Sequence, residues 1–139
     1  MTTTATARPI SAPHRPDLVP HVARRVTWLA VAAALIAFAV YEVGQHHLGA
    51  WPIVGFVMLP DLAFIAGVGV ATEHGQLAPR AVPIYNFVHR PYVPLTLVVA
   101  AALGVGPMFW FVAGLSWLAH LAIDHAAGYG LRTSEGWQR

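Results

Sequence analysis

The chain alternates four long apolar runs with short polar connections. The runs lie at residues 26–43, 51–71, 92–105 and 108–127. A helix needs about 20 apolar residues to cross the hydrocarbon core of a bilayer, which is about 30 Å thick. Three runs approach that length, whereas the third reaches it only by starting near residue 84. We therefore predict an all-α polytopic membrane protein, a four-helix transmembrane bundle over residues 23–132.

The second and third predicted helices are irregular. Pro60 and Asp61 interrupt the second run, and a proline that lacks an N–H favours a new helical segment at that point. We predict a broken second helix with Asp61 in the first turn of the new segment; the alternative is that Asp61 only caps the break. The third helix, over 84–105, is predicted to be short or kinked. The first run, 26–43, is predicted to be a plain anchor because it is uncharged until Glu42.

Composition agrees with a lipid environment. Hydrophobic residues make up 57% of the chain and charged residues only 10%, whereas a soluble domain carries about 25% charged residues. So few charges cannot cover a water-facing surface, and the lipid bilayer is the expected surrounding. The chain has no cysteine, which excludes disulfides and thiolate metal ligands. A net charge of +2 without a basic, aromatic-interleaved stripe argues against nucleic-acid binding.

The basic residues, eight arginines and no lysine, predict the orientation. They precede the first run, lie between the second and third, and follow the fourth: Arg8, Arg15, Arg24, Arg25, Arg80, Arg90, Arg132 and Arg139. Four spans place all of them on one side, which the positive-inside rule assigns to the cytoplasm. Residues 1–22 are then a disordered cytoplasmic N-terminal tail, and residues 133–139 a cytoplasmic C-terminal tail.

Three polar groups interrupt the apolar pattern. Asp61 lies near mid-membrane, where an ionised carboxylate costs at least about 2.5–3.5 kcal/mol unless it is protonated, paired, metal-bound or hydrated. Tyr85, Asn86 and His89 share one face if their segment is helical. His120 and Asp124 are one helical turn apart on one face, and this spacing also suits two ligands of one metal.

Each group also has a plainer explanation. The residues around His89 could contact lipid headgroups at the membrane boundary. His120 and Asp124 could be a hydrogen-bonded pair that locks the fourth helix against the second.

One site built from Asp61, Asn86, His89, His120 and Asp124 would hold two histidines and two carboxylates. Asp61, His89, His120 and Asp124 are the candidate metal ligands, and a set without thiolate suits one divalent ion of zinc, manganese or iron. Asp61 or His89 is the candidate catalytic base that would deprotonate a metal-activated water.

The same residues carry a family resemblance. Leu59-Pro60-Asp61, Tyr85-Asn86-x-x-His89, His120-x3-Asp124 and Gly128-Tyr129-Gly130-Leu131, in that order, resemble the bacterial small membrane proteins grouped as domain of unknown function 4260. The resemblance covers about residues 26–132. It implies a four-helix integral membrane protein and no activity; with the arginine positions, the location expected is the bacterial inner membrane with both termini inside.

Two positions depart from the pattern of that family, which more often has arginine and lysine where this chain has His125 and Arg132. The His125 imidazole is predicted to point about 100° away from Asp124 around the helix. With Tyr85 and Asn86, His125 completes a set of candidate polar neighbours of the site.

Three functions remain open from the sequence. The first is a metal-dependent membrane enzyme, hydrolase-like, acting on a lipid or another amphiphile. The second is a non-enzymatic membrane subunit, either a homo-oligomer or docked on a larger membrane protein. The third is a proton or ion relay, or a haem-binding protein, because intramembrane Asp and His serve both.

Overall fold

The computed structural model describes residues 18–139, which are all-helical apart from loops and one isolated bridge between Arg132 and Gln138. The helices are α1 (Leu18–His46), α2 (Trp51–Met58), α3 (Val82–Val88), α4 (Tyr92–Ala102) and α5 (Met108–Ala127). A long 3-10 segment (Leu59–Gly67) follows α2, and one 3-10 turn (Pro79–Ala81) precedes α3. The prediction of an all-helical chain is confirmed.

Helix α5 is the central element, and α1, α2 and α4 each pack on it. Its residues Val112 to Trp117 are all buried, as are four of the next five. At one end of the bundle Trp28 of α1 meets His125, and at the other Phe38 meets Phe111. Residue numbers increase along α1 in the direction in which they decrease along α5, so the two helices are antiparallel.

Helix α2 runs parallel to α5. Trp51 stacks on Phe109, and further along Phe56 meets Trp117, with 6.3 Å between ring centroids. The residues that follow α2 in the 3-10 segment therefore approach the second half of α5.

The second helix breaks where the sequence predicted. The backbone changes from α to 3-10 at Leu59, and the first turn of the new segment holds the buried Pro60 and the partly exposed Asp61. No side chain caps this segment, so Asp61 does not act as a cap. The Arg80 guanidinium closes its far end by donating to the carbonyls of Ala66 and Val68, both at 2.6 Å. These bonds satisfy carbonyls that have no partner within the helix.

The third run is two helices rather than one kinked helix over 84–105. Helix α3 begins at Val82, and α4 ends at Ala102. Between them His89 caps α3, and Arg90 precedes Pro91, a position that disfavours the α conformation. The break thus places His89 at a helix end instead of within a span.

The first helix is longer than the run of 26–43 that predicted it. It begins at Leu18 and includes Pro20, because proline is tolerated in the first turn of a helix. The predicted disordered tail lies outside the described residues as far as residue 17.

The end of the chain folds back onto the bundle. The amide of Leu77 donates to the carbonyl of Gly136 at 3.0 Å, and the Gln76 side chain donates to that of Glu135 at 2.7 Å. Gly136 has a φ of 96°, and a Cβ there would overlap the Leu77 carbonyl. The predicted tail of residues 133–139 is therefore a packed segment.

Helix α4 lies close against α5 at Gly114, where a Cβ would lie 2.7 Å from the Pro94 carbonyl oxygen and 3.1 Å from the Val98 nitrogen. Backbone cannot yield as a side chain can, so we expect Gly114→Ala to destabilise the fold in detergent by about 1–3 kcal/mol. Gly55→Ala is the matched control, because its Cβ would meet only the Trp51 ring at 3.9 Å. Equal unfolding midpoints for the two variants would contradict this packing.

Candidate functional site

Four ionisable side chains from three elements meet beside the second half of α5. Asp61 comes from the first turn of the 3-10 segment and His89 from the end of α3. His120 and Asp124 lie one turn apart on α5. The breaks in the second and third runs therefore both deliver a polar residue to the same place.

The distances describe a compact cluster. Asp124 Oδ2 lies 3.3 Å from His89 Nε2 and 3.4 Å from His120 Nε2. Asp61 Oδ1 lies 3.7 Å from His120 Nε2. One ligand atom each of Asp61, His89 and His120 lie within 4.8 Å of one another. These three atoms are close enough together to be ligands of one ion.

Exposure differs across the cluster. The side chains of His89 and His120 are 5% and 9% exposed, Asp124 is 19% exposed, and Asp61 is 43% exposed. The histidines form the closed side, whereas Asp61 forms the side that a solute or water can reach.

The proton of His89 is assigned by its backbone contact. Its Nδ1 lies 2.8 Å from the Tyr85 carbonyl, which can only accept, so Nδ1 carries the hydrogen. The neutral ring then directs the lone pair of Nε2 toward the Asp124 carboxylate. Two lone pairs repel, and a proton or a cation between them removes the repulsion. A backbone carbonyl on the other ring nitrogen is the usual arrangement of a metal-binding histidine.

The spacing favours a cation. Neither His89 Nε2 nor His120 Nε2 makes a hydrogen bond, although both are buried. Their separations from the carboxylates, 3.3–3.7 Å, exceed the usual 2.7–3.2 Å of an N–H···O bond. Two ligands that lie about 2.1 Å from one tetrahedral ion stand about 3.4 Å apart. The residues therefore fit a divalent ion bound by nitrogen and oxygen.

Two aromatic residues position His89. The buried Tyr85 ring stacks on the His89 ring, with 3.7 Å between centroids. The indole N–H of Trp117 donates to the carbonyl of Val88 at 2.8 Å and ties the end of α3 to α5. The sequence analysis did not include Trp117 among the site residues. The available signal was its position in an apolar run one turn before His120, because a buried indole N–H needs an acceptor.

Asn86 was predicted to join the site, and the structure places it elsewhere. Its side-chain nitrogen donates to the Arg132 carbonyl at 2.9 Å, and its oxygen accepts from the Arg132 amide at 2.8 Å. Asn86 therefore holds in place the C-terminal segment, residues 129–139, which follows α5. The Arg132 guanidinium lies 5.6 Å from the centre of the Tyr85 ring, on which His89 also stacks.

His125 points away from the cluster, as its place on the helix predicted. Its Nδ1 lies 2.7 Å from the Leu121 carbonyl, and its ring lies 4.8 Å from that of Trp28. Its imidazole packs α5 against α1.

A cavity of about 450 Å³ adjoins the cluster between α1 and α5. His89 and Asp124 lie in its wall, which is otherwise largely apolar. Helix α1 contributes Trp28, Val31 and Leu35, so it does more than the plain anchor that its sequence predicted. In the sequence, Val31 and Leu35 follow Trp28 by three and seven residues, a spacing that places all three on one helical face.

The family model Domain of unknown function (DUF4260) matches residues 25–139. The chain belongs to this family. The match confirms the resemblance seen in the sequence and covers every element from α1 to the C-terminal segment. No curated protein and no solved structure matches the chain. A family of unknown function assigns no role to any residue, so the role of the cluster rests on its geometry.

The C-terminal segment should be released by Asn86→Leu, which removes both side-chain bonds to the Arg132 backbone. Loss of two partly buried bonds costs about 1–3 kcal/mol, so we expect trypsin to cleave after Arg132 at least about tenfold faster. Thr96→Val is the control, since it removes a side-chain bond to a backbone carbonyl on exposed α4. Equal cleavage of both variants would show that Asn86 does not hold the segment.

Proposed function

We propose that the chain is a four-span membrane protein whose Asp/His cluster binds one divalent metal ion and activates water for hydrolysis. The observation that carries the proposal is the convergence on two carboxylates of two buried imidazole nitrogens that make no hydrogen bond. Intramembrane ionisable groups are functional by default, because an unpaired charge in lipid is costly.

The lipid-facing surface supports the membrane part of the proposal. One helix, His21–His46, is long and apolar enough to cross a membrane, and Trp51–Gly67 is a shorter apolar helix. Large apolar side chains are exposed on several helices, whereas soluble monomers rarely expose large apolar patches. Examples are Val26, Leu29, Val54, Met58, Leu95 and Val99.

The 3-10 geometry compensates for the shortness of the second helix. Its eight α residues rise about 1.5 Å each, and its nine 3-10 residues rise about 2.0 Å each. The total, about 30 Å, equals the thickness of the hydrocarbon core. The broken helix is therefore long enough to cross.

Arginine positions support a cytoplasmic location for the cluster. Helices α1 and α5 are antiparallel, so Arg24 and Arg25 near the start of α1 lie at the same end as Arg132 after α5. Arg80 and Arg90 flank α3, whose end supplies His89 to the cluster. The positive-inside rule assigns this end to the cytoplasm.

Cysteine labelling tests this orientation, because the chain has no cysteine of its own. In spheroplasts, a membrane-impermeant maleimide should label Gln45→Cys directly, at the far end of α1. Ser134→Cys, in the C-terminal segment, should be labelled only after permeabilisation. Direct labelling of both residues would contradict the orientation.

The geometry divides the roles within the site. His89, His120 and Asp124 are the best-buried groups and are assigned as ligands, which leaves a coordination position open, as catalytic zinc sites do. His89 is assigned as a ligand rather than the base, because its side chain is 5% exposed whereas Asp61, at 43%, is the group that water can reach. Asp61 is the most exposed member, and it serves as a fourth ligand or as the base.

The proposed hydrolytic step would use the bound metal ion and the Asp61 carboxylate. A bound metal ion supplies Lewis acidity that makes water a nucleophile near neutral pH. Asp61 takes one proton from the attacking water, whose oxygen bonds to the acyl or phosphoryl centre. The bond from that centre to the leaving oxygen breaks, and Asp61 returns the proton to it.

Metal content is the direct test. Protein extracted in mild detergent and loaded with Zn²⁺, Mn²⁺ or Fe²⁺ should retain about one ion per chain. His89→Ala and His120→Ala should each lose most of it, since each removes a ligand. His125→Ala is the control, because that imidazole lies on α5 outside the cluster. Wild-type protein that binds none of the three metals, or His120→Ala that binds as wild type does, would refute the centre.

A further inference from the structure

We infer that the α1–α5 cavity holds the hydrocarbon chain of a single-chain acyl ester with an anionic headgroup, and that this ester is the substrate of the metal centre. The hydrolytic part of the inference rests on the proposed function, whereas binding in the cavity does not.

The shape of the cavity suits one chain. Its volume of about 450 Å³ lies within the usual range for small-molecule pockets, about 300–1,000 Å³. Trp28, Val31 and Leu35 form one wall, and Leu118 and Leu121 form the facing wall on α5. Seven residues of helix separate Trp28 from Leu35, so the apolar wall extends for about 10 Å along the helix axis.

The polar groups of the cavity lie together. His89, Arg90, Asp124 and His125 belong to its lining, and Gly130 closes it from the C-terminal segment. An occupant therefore needs an apolar body and one polar end, which describes an amphiphile. With its chain along α1 and α5, the bond between chain and headgroup lies beside His89 and Asp124, where the proposed water is activated.

Arg90 determines the charge of the headgroup. Arg90 is exposed, and its guanidinium lies 5.9 Å from the centre of the Tyr92 ring. Among the described residues, no carboxylate forms an ion pair with it. A free guanidinium at the edge of an apolar site favours a phosphate or carboxylate, to which it donates in a bidentate manner.

The cavity is accessible from the surrounding lipid. Val31 of α1 lines it and is itself 38% exposed. A chain dissolved in the bilayer can therefore enter between α1 and α5 without leaving the hydrocarbon phase. This route favours a membrane amphiphile over a water-soluble ester.

Binding of two probes tests the inference in the full chain, reconstituted in nanodiscs. The probes are palmitoyl-lysophosphatidate, which is anionic, and palmitoyl-lysophosphatidylcholine, which has the same chain and no net charge. We expect the anionic probe to bind at least tenfold more tightly to the wild type, with palmitate released only by metal-loaded protein.

Two variants separate chain from headgroup. Val31→Trp fills the cavity and should weaken both probes at least tenfold, whereas Val99→Trp, an equally large change on exposed α4, should weaken neither. Arg90→Gln should remove the preference for the anionic probe, whereas Arg24→Gln, outside the cavity lining, should retain it.

The outcomes distinguish this inference from the metal proposal. Unchanged binding in Val31→Trp, or equal binding of the two probes by the wild type, would overturn the inference even if the metal content were intact. Cavity-dependent binding by a protein that holds no metal would support the binding site and refute the hydrolytic centre.

Discussion

The fold as a whole depends on the pairing of His120 and Asp124, two polar residues on the central, apolar helix α5, with groups from other elements. A polar side chain in such a place is costly unless it is paired. Asp61 approaches His120, and His89 approaches Asp124, each from a different element. The packing of α2 parallel to α5 and the position of the end of α3 beside the second half of α5 bring these groups together.

Irregular backbone makes that approach possible. A regular α-helix through Leu59 would continue its rotation, whereas the 3-10 segment changes the direction in which Asp61 projects. The break at Arg90-Pro91 leaves His89 at a helix end, where its ring can turn toward α5 while its Nδ1 bonds to Tyr85. In this molecule, both irregularities border the polar cluster.

A second layer of contacts holds the cluster. Tyr85 stacks on His89, Arg132 lies over Tyr85, and Asn86 fixes Arg132 through its backbone. The C-terminal segment is thereby connected to the site without contributing a ligand. Helix α1 has a different relation to the site: it supplies no ionisable group, but with α5 it encloses the cavity. The polar cluster, formed by the 3-10 segment, the end of α3 and α5, thus borders a largely apolar cavity.

The sequence by itself determined the apolar helices, the break at Pro60, and which ionisable residues stand in apolar surroundings. Those features follow from local chemistry: residue hydropathy, the missing N–H of proline, and the helical period that puts His120 and Asp124 on one face. Only the tertiary structure decided which groups meet. Asn86 and His89 were expected on one face, yet Asn86 binds Arg132 and His89 reaches Asp124. The cavity wall on α1 was likewise not evident, because the rotation of one helix against another is set by packing across the bundle rather than by spacing along one helix.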